Sequence, residues 1–187
     1  MERVLVVMKP DGVERGLTGT VIKTFEECGL KLVAIKMIKA DQALVGKHYV
    51  EDKDWMMSVG KKTKQSALEK GVEMKETEME IGQRVRNALI RELTRTPVVA
   101  FVLEGNAAAE IARKLIGATE PRKADPASIR GRYASDTYGL ADGKKRSVRN
   151  IAHVSENAEI AEKEIKVWFK ESEICKYKRC DEEAMYG

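Results

Sequence analysis

The chain has 187 residues, of which 43% are hydrophobic and 34% charged, and its formal charge is +4. That length suits one domain with a real core, and acidic residues interleaved with basic ones suit an anionic small molecule better than nucleic-acid wrapping. No apolar run approaches the roughly 18 residues that span a bilayer, no signal-peptide-like segment opens the chain, and Cys28, Cys175 and Cys180 form no CxxC pair, so the expectation is a cytoplasmic protein without disulfides or a zinc motif.

Residues 4–8 form a continuous apolar run between Arg3 and Lys9, the pattern of a strand covered on both faces. Leu17, Val21, Ile22 and Phe25 recur at helical spacing, and Gly29 supplies a stop. Residues 30–38, rich in Leu, Val and Ile, read as a second strand, after which Asp41 caps a short helix running to about Val50. From 51 to about 80 charged residues dominate, Gly60 and Gly71 interrupt, and no apolar period persists, which predicts a surface insertion with one short helix. Ile81, Val85, Leu89 and Leu93 recur every four residues, an amphipathic helix leading into a strongly buried strand at 97–103. A helix over about 107–115 precedes a glycine-rich, basic stretch, 117–149, that reads as a long functional loop. After a further short strand, Asn157 caps a last helix with Ala158, Ala161, Ile165, Trp168 and Phe169 on one face. This order predicts an α+β, βαββαβ sandwich, its antiparallel four-stranded sheet carrying helices on one face.

Chemistry concentrates at 150–156, where Asn150, His153, Ser155 and Glu156 fall together and Glu164 follows eleven positions past the histidine. His153 is one of only two histidines, and a neutral imidazole is a nucleophile near pH 7 once a neighbour fixes its tautomer. Taken alone, a histidine between a short strand and a helix is more often structural. Arg113, Thr119 and Arg130 bracket the long loop; arginine makes bidentate phosphate contacts that lysine does not, although two arginines fit a solvated face as well. Neither a G-x-x-x-x-G-K-S/T loop nor a G-x-G-x-x-G fingerprint is present, so nucleotide chemistry needs another scaffold.

Taken together, Lys9-Pro10-Asp11-Gly12-Val13, Arg15-Gly16, His48-Tyr49, Pro97-Val98-Val99, Arg113 through Gly117 with Thr119, Ile129-Arg130-Gly131, Asn150 through His153, and Ala161-Glu162-Lys163-Glu164-Ile165 follow the order of the nucleoside diphosphate kinases. The chain resembles that family from Glu2 to about Phe169. The resemblance implies a ferredoxin-like fold in a single domain over 1–187, with insertions at about 51–80 and 136–147 and a C-terminal extension from about 170. It implies transfer of the γ-phosphate of a nucleoside triphosphate to a nucleoside diphosphate, by a ping-pong route through a phosphohistidine on His153, maintaining NTP and dNTP pools. A non-catalytic nucleotide or nucleic-acid binding module on the same fold is the alternative reading.

Within the resemblance, Glu164 matches the carboxylate that orients the imidazole, and Ser155 the hydroxyl beside it. Arg113, Thr119 and Arg130 match phosphate ligands, Lys9 and Tyr49 match groups near the transferred phosphoryl, and Lys9 with Asn150 match contacts to the ribose. Mg2+ is the implied cofactor, carried mainly by the nucleotide phosphates, with no dedicated protein metal site. ATP and other nucleoside tri- and diphosphates are the implied partners, together with further copies of the chain in a hexamer or tetramer; neither a membrane nor nucleic acid is expected. The base-stacking residue is open among Met57, Val85 and Trp55. Val154 stands where a small residue is usual, either crowding the phosphate or pointing into the core.

Overall fold

The computed structural model describes residues 1–68 and 71–187. Four strands, β1 (Glu2–Met8), β2 (Lys31–Ile38), β3 (Val98–Gly105) and β4 (Ala152–Val154), form an antiparallel sheet in the order β2-β3-β1-β4. Among the described residues the helices are α1 (Pro10–Glu14), α2 (Thr18–Glu27), α3 (Gln42–His48), α4 (Lys53–Leu68), α5 (Glu78–Leu93), α6 (Ala108–Ile116), α7 (Ile129–Tyr133), α8 (Tyr138–Gly143), α9 (Ala158–Trp168) and α10 (Glu182–Tyr186). With α2 crossing from β1 to β2 and α6 from β3 to β4, this is the expected ferredoxin-like α+β arrangement.

The helices cover both faces of the sheet, which corrects the expectation of one. Side-chain alternation sends Val4, Val6, Met8, Val99, Phe101 and Leu103 against Val21 and Phe25 of α2 and Ala108, Ala109 and Ala112 of α6. It sends Leu5, Val7, Val98, Ala100 and Val102 against Val45 of α3, Leu93 of α5 and Ala161, Ile165 and Trp168 of α9. A strand packed on both sides has no polar face to alternate with, hence the unbroken apolar runs at 4–8 and 98–103.

The expected insertion at 51–80 is more regular than its sequence suggested. α4 is 16 residues long and packs on α5, which Thr77 starts with a capping box: its Oγ1 accepts from Glu80 N, and its own N–H donates to Glu80 Oε2. A Cβ at Gly60 would lie 1.9 Å from Glu78 O, and one at Gly82 would lie 2.2 Å from Met56 O. Gly60 is therefore a contact point between helix backbones and not an interruption. The inward line of α4 is Met56, Gly60, Thr63 and Ala67, too poor in large apolar residues to show as a helical period. Residues 69 and 70 of the expected insertion lie outside the described residues.

The stretch 117–149 likewise holds α7, α8 and a 3-10 turn at Pro121–Lys123 rather than a bare loop. Helices of five and six residues are too short to show a period, and the cues that start them are caps, Ser128 accepting from Gly131 N and Thr137 from Leu140 N. Asp136 receives a two-pronged contact from Arg146 at 2.5 and 3.1 Å and a third bond from Arg149 N at 2.8 Å. Tyr138 N donates to Glu120 Oε1 at 3.2 Å, so residues 136–147 form a pinned excursion next to Thr119. Asp41 and Asn157 cap α3 and α9 as expected. Beyond residue 170 the chain follows the outer edge of β2, with Cys175 N donating to Val33 O and the Tyr177 hydroxyl to Leu32 O.

Candidate active site

β1 ends at Met8, and Lys9 leads into α1 with Pro10 in the first turn, where a missing N–H is tolerated. Facing it, Ile151 has φ +75°, a left-handed conformation that costs a β-branched residue about 1–3 kcal/mol. Several bonds impose it. Lys9 N donates to Ile151 O at 2.8 Å, Ile151 N donates to Asp11 Oδ2 at 2.9 Å, and Ala152 N closes back on Asn150 O at 2.9 Å. Gly12 belongs to the same approach, because a Cβ there would sit 2.6 Å from Ile151 O. Residues 9–12 thus clamp the bend that delivers His153.

α7 closes the other side of that bend. Arg130 donates through Nε to Asn150 O at 3.1 Å, through Nη1 to Gly117 O at 2.8 Å and through Nη2 to Ala152 O at 2.7 Å. These use three of the five guanidinium N–H groups and hold the head rigid. Asn150 Nδ2 donates to Thr119 O at 2.8 Å, leaving Oδ1 a buried acceptor without a protein partner. Lys9 is buried nearby; burial, then the Arg130 charge, pull its pKa down to about 8, against opposing pulls from Asp11 and Glu92. Burial also brings Arg130 down to about 10. Two cations held close in a partly dry setting are prepared for an anion. Arg113, in the last turn of α6, and Thr119 are both exposed beside them, and the Arg113 charge is felt by Arg130.

His153 pairs with Val7 in the β1–β4 ladder, which turns its ring to the α9 side of the sheet. Val154 faces the opposite way and packs with Val4 and Val6, so the branched side chain does not crowd the imidazole. His153 Nε2 lies 3.1 and 3.0 Å from the two carboxylate oxygens of Glu164. Ser155 Oγ donates to Glu164 Oε2 at 2.5 Å and accepts from Leu5 N at 3.3 Å, tying the carboxylate to the middle of β1. Burial by itself would raise the Glu164 pKa; the hydrogen bond and charge of His153, with smaller help from His48 and Ser155, outweigh it and hold the carboxyl below its ordinary value. An ionised carboxylate only accepts, so Nε2 carries the proton and Nδ1 the lone pair.

Two more rings frame that imidazole. His48, at the end of α3, stands 4.5 Å from His153 at 89°, and Tyr49 stands 6.3 Å from it. Burial, then the neighbouring His153, hold His48 down to about 3, so it is neutral. Burial and the Glu164 charge keep the Tyr49 phenol above its ordinary range, a neutral donor.

Of the residues singled out from the sequence, Lys9, Tyr49, Arg130, Asn150, His153, Ser155 and Glu164 converge on this bend, Thr119 joins through its carbonyl, and Arg113 sits at the rim. Asp11 and His48 had no separate role assigned and are central. The Asp11 partner lies 140 positions away, and nothing local to residue 11 marks it. Trp55 and Met57 are exposed on α4 and Val85 is half-buried on α5. Among the described residues, the one group of His, Cys, Asp or Glu with metal-ligand spacing is His48, His153 and Glu164.

The family model described as nucleoside diphosphate kinase matches residues 2–62 and 61–174. A nucleoside diphosphate kinase of Pyrobaculum aerophilum is 39% identical over 93% of this chain and 98% of its own length, and one of Borreliella burgdorferi is 38% identical over 97% and 95%. Among solved structures, an NDP kinase from Pyrobaculum aerophilum superposes with a TM-score of 0.91 at 38% identity, covering 94% of this chain and 99% of that one. A transition state mimic of the Borrelia burgdorferi nucleoside diphosphate kinase with bound vanadate and ADP gives 0.80 at 38% identity, covering 97% and 94%.

Proposed function

This chain belongs to the nucleoside diphosphate kinase family and transfers the γ-phosphate of a nucleoside triphosphate to a nucleoside diphosphate; we propose that His153 Nδ1 carries the phosphoryl group between the two half-reactions. The observation that carries the proposal is the Glu164 carboxylate on Nε2, which fixes the proton there and leaves the Nδ1 lone pair free. In the first step that lone pair attacks the γ-phosphorus, the bond to the bridging oxygen breaks, and the nucleoside diphosphate leaves with the electron pair. The ring gains positive charge, which Glu164 meets at Nε2, and Ser155 keeps the carboxylate in register. In the second step a terminal β-oxygen of the acceptor attacks phosphorus and the P–N pair returns to Nδ1. Splitting the transfer into two steps lets one site serve donor and acceptor in turn, and the exchange is nearly thermoneutral because similar bonds are broken and made.

Lys9, Arg113, Thr119 and Arg130 are assigned to the phosphates, with the two remaining Arg130 N–H groups facing the anion while the other three hold the bend. Tyr49 supplies a neutral hydroxyl near the transferred group, and the unpartnered Asn150 Oδ1, with Lys9, addresses the ribose hydroxyls. Mg2+ is a hard cation that selects oxygen ligands, and the described residues with ligand spacing include two imidazoles, so it is assigned to the nucleotide phosphates and water. It supplies neutralisation of phosphate charge.

The reading takes residues 1–187 as a single cytoplasmic domain that assembles with copies of itself. Support for assembly comes from Ile35 and Met37, 50% and 61% exposed on β2, a strand at the edge of the sheet. No described helix is long and apolar enough to cross a membrane. The test of the central claim is incubation with γ-labelled ATP: an acid-labile phosphoryl group forms and passes to GDP, and His153→Asn abolishes both. Full labelling in His153→Asn would reject it.

A further inference from the structure

The imidazole of His48 is wholly inaccessible, yet both of its ring nitrogens lack a hydrogen-bond partner. Such groups are rare in folded proteins and ask for a ligand. Its Nδ1 lies 3.7 Å from Glu164 Oε1, that same oxygen lies 3.1 Å from His153 Nε2, and the donor atoms of all three residues fall within 4.8 Å of one another. Tetrahedral coordination at about 2.0–2.2 Å spaces its donors about 3.3–3.6 Å apart, so the two imidazole–carboxylate separations lie on either side of that spacing and the imidazole–imidazole one lies within 4.8 Å. Two imidazoles and one carboxylate are the donor set of Zn2+, Co2+ and Cu2+, and the wrong set for Mg2+. The partly accessible His153 and Glu164 side chains give an ion its way in.

We propose that His48, His153 and Glu164 form a binding site for a zinc-class divalent cation, and that filling it switches off His153 as a phosphoryl acceptor. The switching half rests on the reading of His153 as the phosphohistidine. Coordination through Nε2 displaces the proton now shared with Glu164, and because the ring stays neutral, solvent returns that proton to Nδ1 of the same ring. The lone pair aimed at phosphorus becomes an N–H bond, and Glu164, now a ligand, no longer supports a positive ring. His48 binds through Nδ1 and keeps its proton on Nε2, so no proton is released overall.

Co2+ is the probe, since a tetrahedral site gives it strong visible absorption that hexaaqua Co2+ lacks. Titrating the nucleotide-free full chain produces one equivalent of this absorption, bleached by Zn2+, and both His48→Phe and His48→Gln lose it while thermal melts verify that they fold. The three exposed cysteines are common to all variants and cancel in the difference spectrum. In parallel, His153 labelling by γ-labelled ATP in excess Mg2+ is compared with and without Zn2+ within each variant. The Zn2+ concentration for half-inhibition rises at least about tenfold when His48 is lost. Absence of the difference spectrum, or equal Zn2+ sensitivity in both His48 variants, overturns the proposal. Should the Co2+ absorption appear while His153 is never labelled even without Zn2+, the metal site stands and the phosphohistidine reading falls, together with the switching role.

Discussion

Replacing Glu164 with Gln changes charge and hydrogen-bond polarity with almost no change in volume, so it isolates what the carboxylate does for His153. The carboxylate accepts the Nε2 proton at 3.0 Å and the Ser155 hydroxyl at 2.5 Å, with 13% of its side chain exposed. A hydrogen bond to a charged partner in such a setting is worth about 1.5–3 kcal/mol. Because the ring is more positive in the transition state than at rest, most of that interaction belongs to the barrier, which corresponds to about ten- to a hundredfold slower phosphorylation. The amide adds a second effect: its NH2 group can donate to Nε2 and so favour the tautomer with the proton on Nδ1, and Glu164→Gln should be at least as slow as Glu164→Ala. Rapid-quench measurement of His153 phosphorylation in a single turnover, alongside ADP affinity, reads both. A rate within twofold of the parent protein, or a loss confined to ADP affinity, would refute the argument that Glu164 acts through the imidazole.

Lys9, with its pKa at about 8, loses its charge on the alkaline side of neutrality, so kcat/KM should fall with an apparent pKa near 8, and Lys9→Arg should move that limb upward in a pH–rate profile. Stability runs the other way: between about 8 and 10.5 the unfolded chain holds the Lys9 proton more tightly than the folded one, so its contribution rises with pH across the window in which activity is lost. Gly60→Ala forces a Cβ onto Glu78 O and should cost about 1–3 kcal/mol, a Tm fall of about 2–12 °C by calorimetry. Gly19→Ala, inside α2 with nothing within 4 Å of its Cβ, should instead raise stability by about 0.5–1 kcal/mol. Asp136→Ala removes the acceptor for Arg146 and Arg149 N; trypsin should then cut faster at the exposed Lys144 and Lys145, while His153 labelling persists.

The sequence alone was enough for the strands and the longer helices that line the cores, because a strand buried on both faces and a helix with one apolar stripe are periodic patterns written in consecutive residues. Asp41 and Asn157 were legible as caps for the same reason, since a cap bonds a neighbour three positions away. It also carried the family, through short motifs at Lys9-Pro10-Asp11-Gly12 and Asn150 through His153. Where contact depends on what is missing, as at Gly60 and Gly82, hydrophobic counting failed and α4 was read as irregular surface. Only the tertiary structure put helices on both faces, turned Val154 into the core, strained Ile151 against Asp11 and brought His48 edge-on to His153. The last three of those facts concern residues separated by some 100 to 150 positions, whose meeting is decided by sheet order and helix packing and leaves no mark in the residues on either side.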